Sequence, residues 1–455
     1  MTILKYTFSR GWAKTPNIGS PKITNILNDN QVITSQATVA RILKEHKKDW
    51  NTNYSKFHDN KDVVLHFHNK DTVMDIVHNK YYHEQLAYHE IRTLLDKFSF
   101  INLKRYEKNQ VTDVRNFTDK DNLLIHGDNI YALHKLKALF KRKVRLIYID
   151  PPYNTERNDL SYRDRYSRSD YLLFLKNRLD IAKYLLQING VIFIHCDDNE
   201  HSYIKVLCDE IFGEENFISQ IVWKRTSGQQ NRGQIANTKD YLLVFAKNKK
   251  RLKLNKFPIT SQQLKSYSFH DSKGKFRLDK ILNKKHGYYE YEVTSPSGKK
   301  LFHKWNYSLC TFNALKEANL IYWSKNGIPS KKVYLKESTA RIANDLWITE
   351  KYGTIQEATS ELQSTVEDNY FSYPKPEKLL KHIIELATNE NDLVLDFFAG
   401  SGTTLAVAHK LNRQYIGVEL ANNNFNLIVK RLKKVQMNVN EISDKRNCFI
   451  TSTIK

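Results

Sequence analysis

The sequence predicts an α/β protein built on a doubly wound, Rossmann-like sheet. Residues 121–223 and 370–435 alternate short apolar runs with longer segments of helical periodicity. Short apolar runs between helices are typical of the buried strands of a parallel sheet. The segment between the two stretches lacks this alternation, and no linker rich in Pro, Gly or Ser separates it from them. We therefore predict a single sheet that is interrupted in sequence by an insert.

Each predicted element comes from one such run. In the first stretch the predicted strands are LLIHG, VRLIYI, GVIFIHC and ISQIVWK. The predicted helices between them are NIYALHKLKALF, YLLFLKNRLDIAKYLLQ and residues 200–212. In the second stretch the predicted helices are KLLKHIIELA, TTLAVAHKLN and NFNLIVKRLKKV, and the predicted strands are DLVLDFF and QYIGVEL.

These changes of pattern divide the chain into five segments. They are a polar N-terminal extension with a helix at 83–98 (1–115), the first half of the sheet (116–223), the insert (224–368), the second half of the sheet (369–436) and a C-terminal tail (437–455). The insert is rich in Lys, Asn, Ser, Gln and Tyr, and it contains the aromatic strand YYEYEV.

Composition and charge limit the classes of function. The chain of 455 residues has 72 Lys and Arg against 49 Asp and Glu, a formal net charge of +23. A surplus this large indicates a polyanionic partner, of which DNA and RNA are the usual ones. No stretch approaches the roughly 18 uninterrupted apolar residues of a membrane span. The four cysteines are scattered without a C-x-x-C pair, so we expect no zinc site, no disulfide framework and a reducing, cytoplasmic location.

The segment DFFAGSGTT (396–404) predicts a site for a nucleoside cofactor. A predicted strand ends at Asp396, and a glycine turn leads into a helix that begins near Thr403. Glycines in such a turn allow unusual backbone dihedral angles and the close approach of a ligand. The N–H groups at the helix N-terminus favour a phosphate or a carboxylate. Glu419 ends the next strand, about 20 residues further on, where an acid commonly binds ribose hydroxyls.

The segment IYIDPPYN (147–154) predicts a site that grips an amino group on a flat ring. The buried strand ends at Asp150, and the two prolines that follow restrict φ and remove two backbone N–H donors. The Asp150 carboxylate and the Pro151 carbonyl are two acceptors, and an NH₂ group has two hydrogens to donate. Tyr153 offers a flat face on which a base can stack.

These two motifs resemble those of the S-adenosylmethionine-dependent DNA amino-methyltransferases. The order, with D-P-P-Y first and F-A-G-S-G last, resembles the β group, in which the motifs are circularly permuted. Further stretches resemble the modification subunits of type III restriction systems. They are GDNIYALHKL, IYIDPPYNT, FLKNRLDIAKYLL, GVIFIHCDDNE, DEIFGEENF and PKPEKLL. The resemblance covers residues 120–223 and 370–435.

The resemblance implies an activity, a cofactor and a set of site residues. The implied activity is methyl transfer from S-adenosylmethionine to the N6 amino group of an adenine that has been flipped out of double-stranded DNA. The implied catalytic residues are Asp150, Pro151, Pro152 and Tyr153. The implied cofactor-binding residues are Asp396, Phe397, Phe398, Ala399, Gly400, Ser401, Gly402, Thr403, Glu419, Lys375, Pro376 and Asp128. Asp128 has a second interpretation as the cap of the helix that begins near Ile130.

The resemblance also implies partners. It places a target-recognition domain in the insert, where basic and aromatic residues suit contacts to phosphates and bases. The implied partners are double-stranded DNA, a separate restriction subunit and a second copy of the chain, with no membrane partner and no metal.

Other functions remain open at this point. The same fold also supports methylation of cytosine N4, although D-P-P-Y more often accompanies adenine in these enzymes. Methyltransferases of RNA or of protein glutamine usually place the glycine loop before the [ND]-P-P-[YF] motif, whereas here it follows. A DNA-binding module with an inactive cofactor site is a third alternative, and the intact motifs argue against it.

Overall fold

The computed structural model describes most of the chain. The described residues are 69–75, 80–84, 88–108, 110–155, 164–228, 234–259, 261–335, 340–365, 373–438 and 447–455, with Leu65, Phe67 and Phe371. Residues 1–64 of the predicted N-terminal extension lie outside them.

The described residues form both strands and helices. The strands are β1 (Thr72–Asp75), β2 (Lys80–His83), β3 (Phe100–Glu107), β4 (Gln110–Asp113), β5 (Leu123–His126), β6 (Val144–Ile149), β7 (Leu186–Cys196), β8 (Phe217–Lys224), β9 (Lys239–Ala246), β10 (Phe269–Asp271), β11 (Gly274–Lys280), β12 (Tyr289–Thr294), β13 (Lys300–Trp305), β14 (Ile321–Trp323), β15 (Pro329–Tyr334), β16 (Leu346–Trp347), β17 (Leu393–Asp396), β18 (Gln414–Glu419) and β19 (Phe449–Ile454). The helices are α1 (Tyr88–Lys97), α2 (Asn129–Phe140), α3 (Arg168–Leu185), α4 (His201–Phe212), α5 (Ser261–Leu264), α6 (Leu309–Glu317), α7 (Thr349–Tyr352), α8 (Ile355–Thr365), α9 (Glu377–Ala387), α10 (Thr403–Lys410) and α11 (Asn422–Asn438), with a 3₁₀ turn at Glu214–Asn216.

The chain divides into two compact units. The second unit is Lys256–Ala343, and the first comprises the residues before and after it, Met1–Asn255 and Asn344–Lys455. The second unit is therefore narrower than the predicted insert at 224–368. The difference arises because β9 and β16, which fall within the predicted insert, pair with the sheet of the first unit.

One sheet of eleven described strands organises the first unit. Its order is β16-β8-β9-β7-β6-β17-β18-β5-β19-β3-β4. The strands β7, β6, β17, β18 and β5 are parallel, as predicted, and β19 adds a further parallel strand beside β5. Both edges add antiparallel strands, β8 and β9 on one side and β3 and β4 on the other. Helices such as α2, α3 and α4 supply buried apolar side chains that pack against those of the central strands in one core.

Segments that the sequence pattern assigns to an extension and a tail contribute strands to this sheet. The predicted tail contains β19, which lies parallel to β5 with Ile450 opposite Leu123. The predicted extension contains β3 and β4, and β3 pairs with β19. The strand β19 is buried along almost its whole length, which a single short run of mixed Ile, Thr and Ser does not reveal.

The two sequence motifs meet at the centre of the sheet. Strand β6 leads into D-P-P-Y, β17 leads into F-A-G-S-G, and the two strands are neighbours with Leu395 opposite Ile147. The carboxyl ends of parallel strands lie at the same edge of a sheet, so both motifs emerge side by side. From β17 the chain winds outward through β18 on one side, whereas from β6 it winds through β7 on the other. Open α/β sheets bind their ligands at such a switch point.

The second unit has its own sheets and core. A four-stranded antiparallel sheet has the order β10-β11-β15-β14, and β12 and β13 form a separate hairpin. The core of this unit is formed by Ile281, Val293, Leu301, Trp305, Phe312 and Ile321.

A membrane-crossing helix would have to be long and apolar, and none of the helices in the described part of the chain meets both conditions.

Candidate active site

A cavity of about 500 Å³ lies beyond the carboxyl ends of β6, β17 and β18. Most of the predicted site residues line it. They are Asp128, Asp150, Pro151, Pro152, Tyr153, Lys375, Asp396, Phe397, Phe398, Ala399, Gly400, Ser401, Thr403 and Glu419. Two predicted residues lie outside its lining. Gly402 is the N-cap of α10, and Pro376 is the N-cap of α9.

The loop after D-P-P-Y is held by buried side chains. Asn154 takes a left-handed backbone conformation with φ of 55°. Its side chain accepts a hydrogen bond from the Tyr166 N–H (2.8 Å) and donates one to Glu200 (2.9 Å). Its backbone N–H donates to the buried carboxylate of Asp164 (2.8 Å). The hydroxyl of Tyr171 donates to the Pro152 carbonyl (2.6 Å). The loop is thus fixed in shape by side chains that follow it in sequence.

The Asp150 carboxylate is paired on one side only. Its Oδ2 lies 2.5 Å from the Nζ of Lys375. Its Oδ1 is buried and has no hydrogen-bond partner among the residues that the structure describes. The Lys375 ammonium also lies over the ring of Tyr153, 5.2 Å from the centroid. The ion pair orients the carboxylate, and it leaves one oxygen available to a ligand.

The Tyr153 hydroxyl is a second buried polar atom without a hydrogen-bond partner in the described part of the chain. Burial raises the pKa of this hydroxyl well above its usual range, and the negative charge of the nearby Asp150 raises it further. The hydroxyl is therefore protonated at neutral pH and can donate a hydrogen bond. Unpaired buried polar atoms are costly, and in a cavity they point to a ligand that completes them.

The glycine loop is shaped by two left-handed residues. Gly400 has φ of 53° and Gly402 has φ of 75°. A Cβ atom on Gly400 would lie 2.9 Å from the ring of Phe371, and one on Gly402 would lie 2.9 Å from Ile428. Both positions therefore combine a backbone conformation that side chains disfavour with a lack of space.

Glu419 holds this loop in place. Its Oε2 accepts a hydrogen bond from the Gly400 N–H (2.8 Å). Its Oε1 accepts from the Ala421 N–H (2.9 Å) and from the Asn424 amide (3.2 Å). Burial raises the pKa of Glu419, although these donors favour the charged form. The carboxylate thus links the end of β18 to the glycine loop through hydrogen bonds.

Asp396 is the most perturbed acid in the cavity. It ends β17 and accepts a hydrogen bond from the Phe398 N–H (3.0 Å). Burial raises its pKa to about 7, and the negative charges of Asp150 and Glu419 contribute to the increase. The group therefore changes its charge near neutral pH.

Asp128 combines the predicted cap with a buried ion pair. Its Oδ1 accepts a hydrogen bond from the Ile130 N–H (3.0 Å), which caps α2. The same oxygen lies 2.9 Å from a guanidinium nitrogen of Arg178, whose side chain is fully buried. Arg178 also donates to Asn129, whose amide in turn donates to the carbonyl of Phe397 (2.7 Å). This chain of contacts links α2 and α3 to the glycine loop.

Sequence reasoning missed Arg178 and Lys375 in these roles. Arg178 lies on the apolar face of α3 together with Leu175, Leu179 and Ala182, and all four are buried. A charged residue on the apolar face of a predicted helix is a signal that could have identified Arg178 as a buried, paired residue. The pairing of Lys375 with Asp150 spans 225 residues of sequence and has no local signal.

With this geometry described, comparison with known proteins identifies the family. Residues 144–430 match the family described as DNA methylase. The chain belongs to the DNA methylase family. Enzymes of this family depend on S-adenosylmethionine. The resemblance to amino-methyltransferases that the two motifs predicted is confirmed.

Several relatives of this DNA methylase are restriction-modification proteins. The chain is 33% identical over 425 residues to a Haemophilus influenzae protein named the probable type III restriction-modification enzyme HindVI Mod subunit. The alignment covers 78% of the chain and 57% of that protein. It is 33% identical over 332 residues to the type III StyLTI Mod subunit of Salmonella typhimurium. This alignment covers 64% of the chain and 50% of that protein. It is also 25% identical to the Escherichia coli DNA adenine methyltransferase YhdJ. That alignment covers 70% of the chain and 84% of YhdJ. The chain thus spans about half the length of the two Mod subunits.

Proposed function

We propose that the protein transfers the methyl group of S-adenosylmethionine to the N6 amino group of adenine in double-stranded DNA. The observation that carries this proposal is the buried, unpaired Oδ1 of Asp150 in the cavity that the glycine loop also lines. It is an acceptor that no described residue satisfies, at the place where an amino group would receive a methyl group. The relative named DNA adenine methyltransferase supports the choice of adenine.

The residues of the glycine loop fit the cofactor. Residues 398–401 line the cavity, and Gly400 lets the chain take a left-handed turn there that a side chain would disfavour. Glu419 accepts three hydrogen bonds from the protein. Glu419 also lines the cavity, so its carboxylate is placed beside the position of a ribose hydroxyl. When bound, S-adenosylmethionine supplies an electrophilic methyl group.

The D-P-P-Y residues would make the amine reactive. The lone pair of an aromatic amine is delocalised into the ring, so the nitrogen is a weak nucleophile. Hydrogen bonds from its two N–H groups to Asp150 and to the Pro151 carbonyl favour a more tetrahedral nitrogen with an available lone pair. The same acceptors stabilise the positive charge that develops on the nitrogen. The carboxylate of Asp150 is placed to take the proton that the nitrogen then loses.

Tyr153 and Lys375 would position these groups. The Tyr153 ring offers a face on which the extruded base stacks, and extrusion is required because a base that is paired and stacked in the duplex cannot enter the cavity. Lys375 holds the Oδ2 of Asp150, so the carboxylate cannot rotate away from the amine. Holding the reacting groups in line supplies a large share of the rate enhancement of such transfers.

The second unit is proposed to recognise the DNA target, in agreement with the predicted insert. It contains 17 Lys and Arg against 6 Asp and Glu, so it carries a disproportionate share of the net positive charge. Positive charge of this density suits phosphate contacts. The similarity to Mod subunits supports a role as the modification component of a restriction-modification system, with a separate restriction subunit and a second copy of the chain as proposed partners.

The test is to incubate the protein with unmethylated DNA and methyl-labelled S-adenosylmethionine, digest the DNA to nucleosides and identify the labelled one. We expect N6-methyladenine. Labelled N4-methylcytosine would keep the fold and the mechanism but overturn the choice of base. The absence of any labelled nucleoside, in a preparation that binds the cofactor in calorimetry, would contradict DNA methylation by this chain alone.

A further inference from the structure

Tyr373 is an exposed aromatic residue at the cavity of the first unit. It is among the residues that line the cavity, and it lies in the segment that leads into α9. Its surface is 45% exposed, whereas the next three residues, Pro374, Lys375 and Pro376, are buried. An aromatic residue that both lines a cavity and remains exposed lies at the entrance, where it can contact a ligand that enters.

The backbone of Tyr373 has a conformation that tyrosine disfavours. Its φ is 61°, in the left-handed region. The other non-glycine residues that the structure describes with positive φ are Arg142 and asparagines, and asparagine adopts this conformation readily. The proline that follows Tyr373 is a further constraint, because a residue before a proline prefers an extended conformation. Tyr373 is therefore disfavoured in this conformation for two independent reasons.

Contacts on the C-terminal side of Tyr373 hold this conformation. The Nζ of Lys375 lies 2.5 Å from the Asp150 carboxylate. The backbone N–H of Glu377 donates a hydrogen bond to Glu361 (2.9 Å). A strained conformation persists only where the surrounding structure fixes it, and such residues are concentrated at functional sites. The ring of Tyr373 is thus held at the entrance at a cost in backbone strain, which indicates a function there.

The neighbours of Tyr373 place it between the two motifs. Two residues earlier, Phe371 lies against the glycine loop, with its ring 2.9 Å from a Cβ atom built on Gly400. Two residues later, Lys375 pairs with Asp150. The exposure of Tyr373 favours the target nucleotide as its ligand. An extruded base enters the cavity from the DNA at the surface, and its backbone remains at the entrance.

We propose that Tyr373 binds the extruded nucleotide by stacking at the entrance of the cavity. This inference rests on the proposed function and deepens it, because it adds a second aromatic contact to the one proposed for Tyr153. Every base has a flat π-face, so the contact stabilises the extruded state without selecting the base. Stacking uses no hydrogen of the amino group and leaves both of them for Asp150 and the Pro151 carbonyl.

Two substitutions separate the ring from the backbone. Tyr373→Gly removes the ring and relieves the strain, since glycine adopts positive φ freely. Tyr373→Phe keeps the ring and removes only the hydroxyl. Tyr184→Ala is a matched control, because Tyr184 is 41% exposed and does not line the cavity. It lies near the end of α3, which leads into β7 at the edge of the sheet opposite the cavity.

The first measurement is the affinity for a duplex with a central A·A mismatch, with S-adenosylhomocysteine present so that no transfer occurs. A mismatched base leaves the stack more easily than a paired one, so this probe presents an extruded adenine without the recognition sequence. We expect Tyr373→Gly to bind the mismatched duplex about 10-fold more weakly than the wild type, and the fully paired duplex within about twofold of it. Tyr373→Phe and Tyr184→Ala should bind both duplexes as the wild type does. Equal affinities of the wild type and Tyr373→Gly for the mismatched duplex would overturn the proposal.

The second measurement is stability in urea without any ligand. Relief of strain offsets the greater freedom of glycine in the unfolded chain, so the denaturation midpoint of Tyr373→Gly should equal or exceed that of the wild type. A lower midpoint together with weaker DNA binding would assign Tyr373 a structural role and overturn the proposal. A weaker Kd for S-adenosylmethionine with unchanged DNA binding would assign the ring to the cofactor and overturn it as well.

Labelled methyl transfer to unmethylated DNA separates this inference from the proposed function. We expect the kcat/KM of Tyr373→Gly for DNA to be about 10-fold below that of the wild type. If the wild type transfers no methyl group while Tyr373→Gly loses affinity for the mismatched duplex, the proposed function fails and the contact stands. If the wild type transfers methyl groups and kcat/KM is unchanged in Tyr373→Gly, the proposed function stands and the contact fails.

Discussion

The two walls of the cavity differ in how their polar groups are satisfied. On the D-P-P-Y wall, Asp150 Oδ1 and the Tyr153 hydroxyl have no hydrogen-bond partner among the described residues. On the glycine-loop wall, both oxygens of Glu419 accept hydrogen bonds from the protein, and Asp396 accepts one from the backbone. One wall therefore keeps its acceptors for a ligand, whereas the other uses its acids to hold a loop in shape.

This difference predicts two kinds of mutational effect. Removal of an acceptor from the D-P-P-Y wall should impair the reaction and leave cofactor binding almost unchanged. Changes on the glycine-loop wall should alter the shape of the cofactor site and the stability of the first unit, with less effect on the chemical step. The comparison would be contradicted by a D-P-P-Y substitution that impairs cofactor binding more than the reaction, or by a glycine-loop substitution that does the reverse.

The largest effect is expected for Asp150→Ala. It removes the acceptor that stabilises the charge developing on the amine, so kcat should fall about 10³-fold or more. The Kd for S-adenosylmethionine in calorimetry should stay within about threefold of the wild type. Asp209→Ala removes an acid that pairs with Lys205 on α4, away from the cavity, and serves as the control. Substantial activity in Asp150→Ala would exclude the proposed role of the carboxylate.

The next effect concerns the pH dependence of stability through Asp396. Its pKa in the folded protein is about 7, above the value of about 3.9 for an unfolded Asp. The unfolded chain therefore loses its proton first, and the folded state is progressively destabilised between about pH 4 and pH 7. Asp396→Asn removes this contribution. Relative to the wild type, the variant should gain about 2.6 kcal/mol in its free energy of unfolding between pH 5 and pH 8.

This gain is measured by urea denaturation of both proteins without cofactor at the two pH values. A difference between variant and wild type that does not change with pH would show that Asp396 ionises at its ordinary pKa. The raised pKa of Asp396 would then no longer distinguish the two walls, and only their different hydrogen-bond partners would remain.

A smaller effect is expected for Gly402→Ala. The residue has φ of 75°, and its new Cβ would lie 2.9 Å from Ile428. The variant should lose about 1–2 kcal/mol of stability and bind S-adenosylmethionine several-fold more weakly. Gly298→Ala is the control, since Gly298 has φ of 81° but no atom within 4 Å of the new Cβ. Equal losses in the two variants would attribute the effect to backbone strain alone and not to crowding of the loop.

The smallest effect is expected for Glu419→Gln. The amide keeps one acceptor and replaces the other with a donor, so at least one of the N–H groups of Gly400 and Ala421 loses its partner. We expect a loss of about 1 kcal/mol in cofactor binding, roughly a fivefold increase in Kd, with kcat at saturating cofactor little changed. Calorimetry and steady-state kinetics measure the two quantities. A fall in kcat as large as that of Asp150→Ala would place Glu419 on the reacting side of the cavity.

Much of the fold could be predicted because its elements have local signals. The apolar run VRLIYI is the buried strand β6, and the predicted helix TTLAVAHKLN contains α10, which begins at Thr403 as expected. The strands β9 and β19 were not assigned to the sheet. The first is an apolar run in a segment of otherwise polar composition, and the second is a mixed run of Phe, Ile, Thr and Ser. Both pair with strands that are distant in sequence, and no local pattern specifies these pairings.

By itself the sequence determined the chemistry available at each strand end. It placed an acid and two prolines after β6, glycines that can adopt positive φ after β17, and an acid at the end of β18. These are local properties, since side-chain period, the φ restriction of proline and the freedom of glycine act over a few residues.

Only the tertiary structure decided which of these groups meet. It made β6 and β17 neighbours, set Lys375 against Asp150 across 225 residues of sequence, and placed Tyr373 at the cavity that both motifs line. The physical reason is that strand pairing and the burial of charged groups depend on the whole packed sheet. No local periodicity specifies them, so the partners of each acid, and with them its pKa and its role, emerge only in the folded chain.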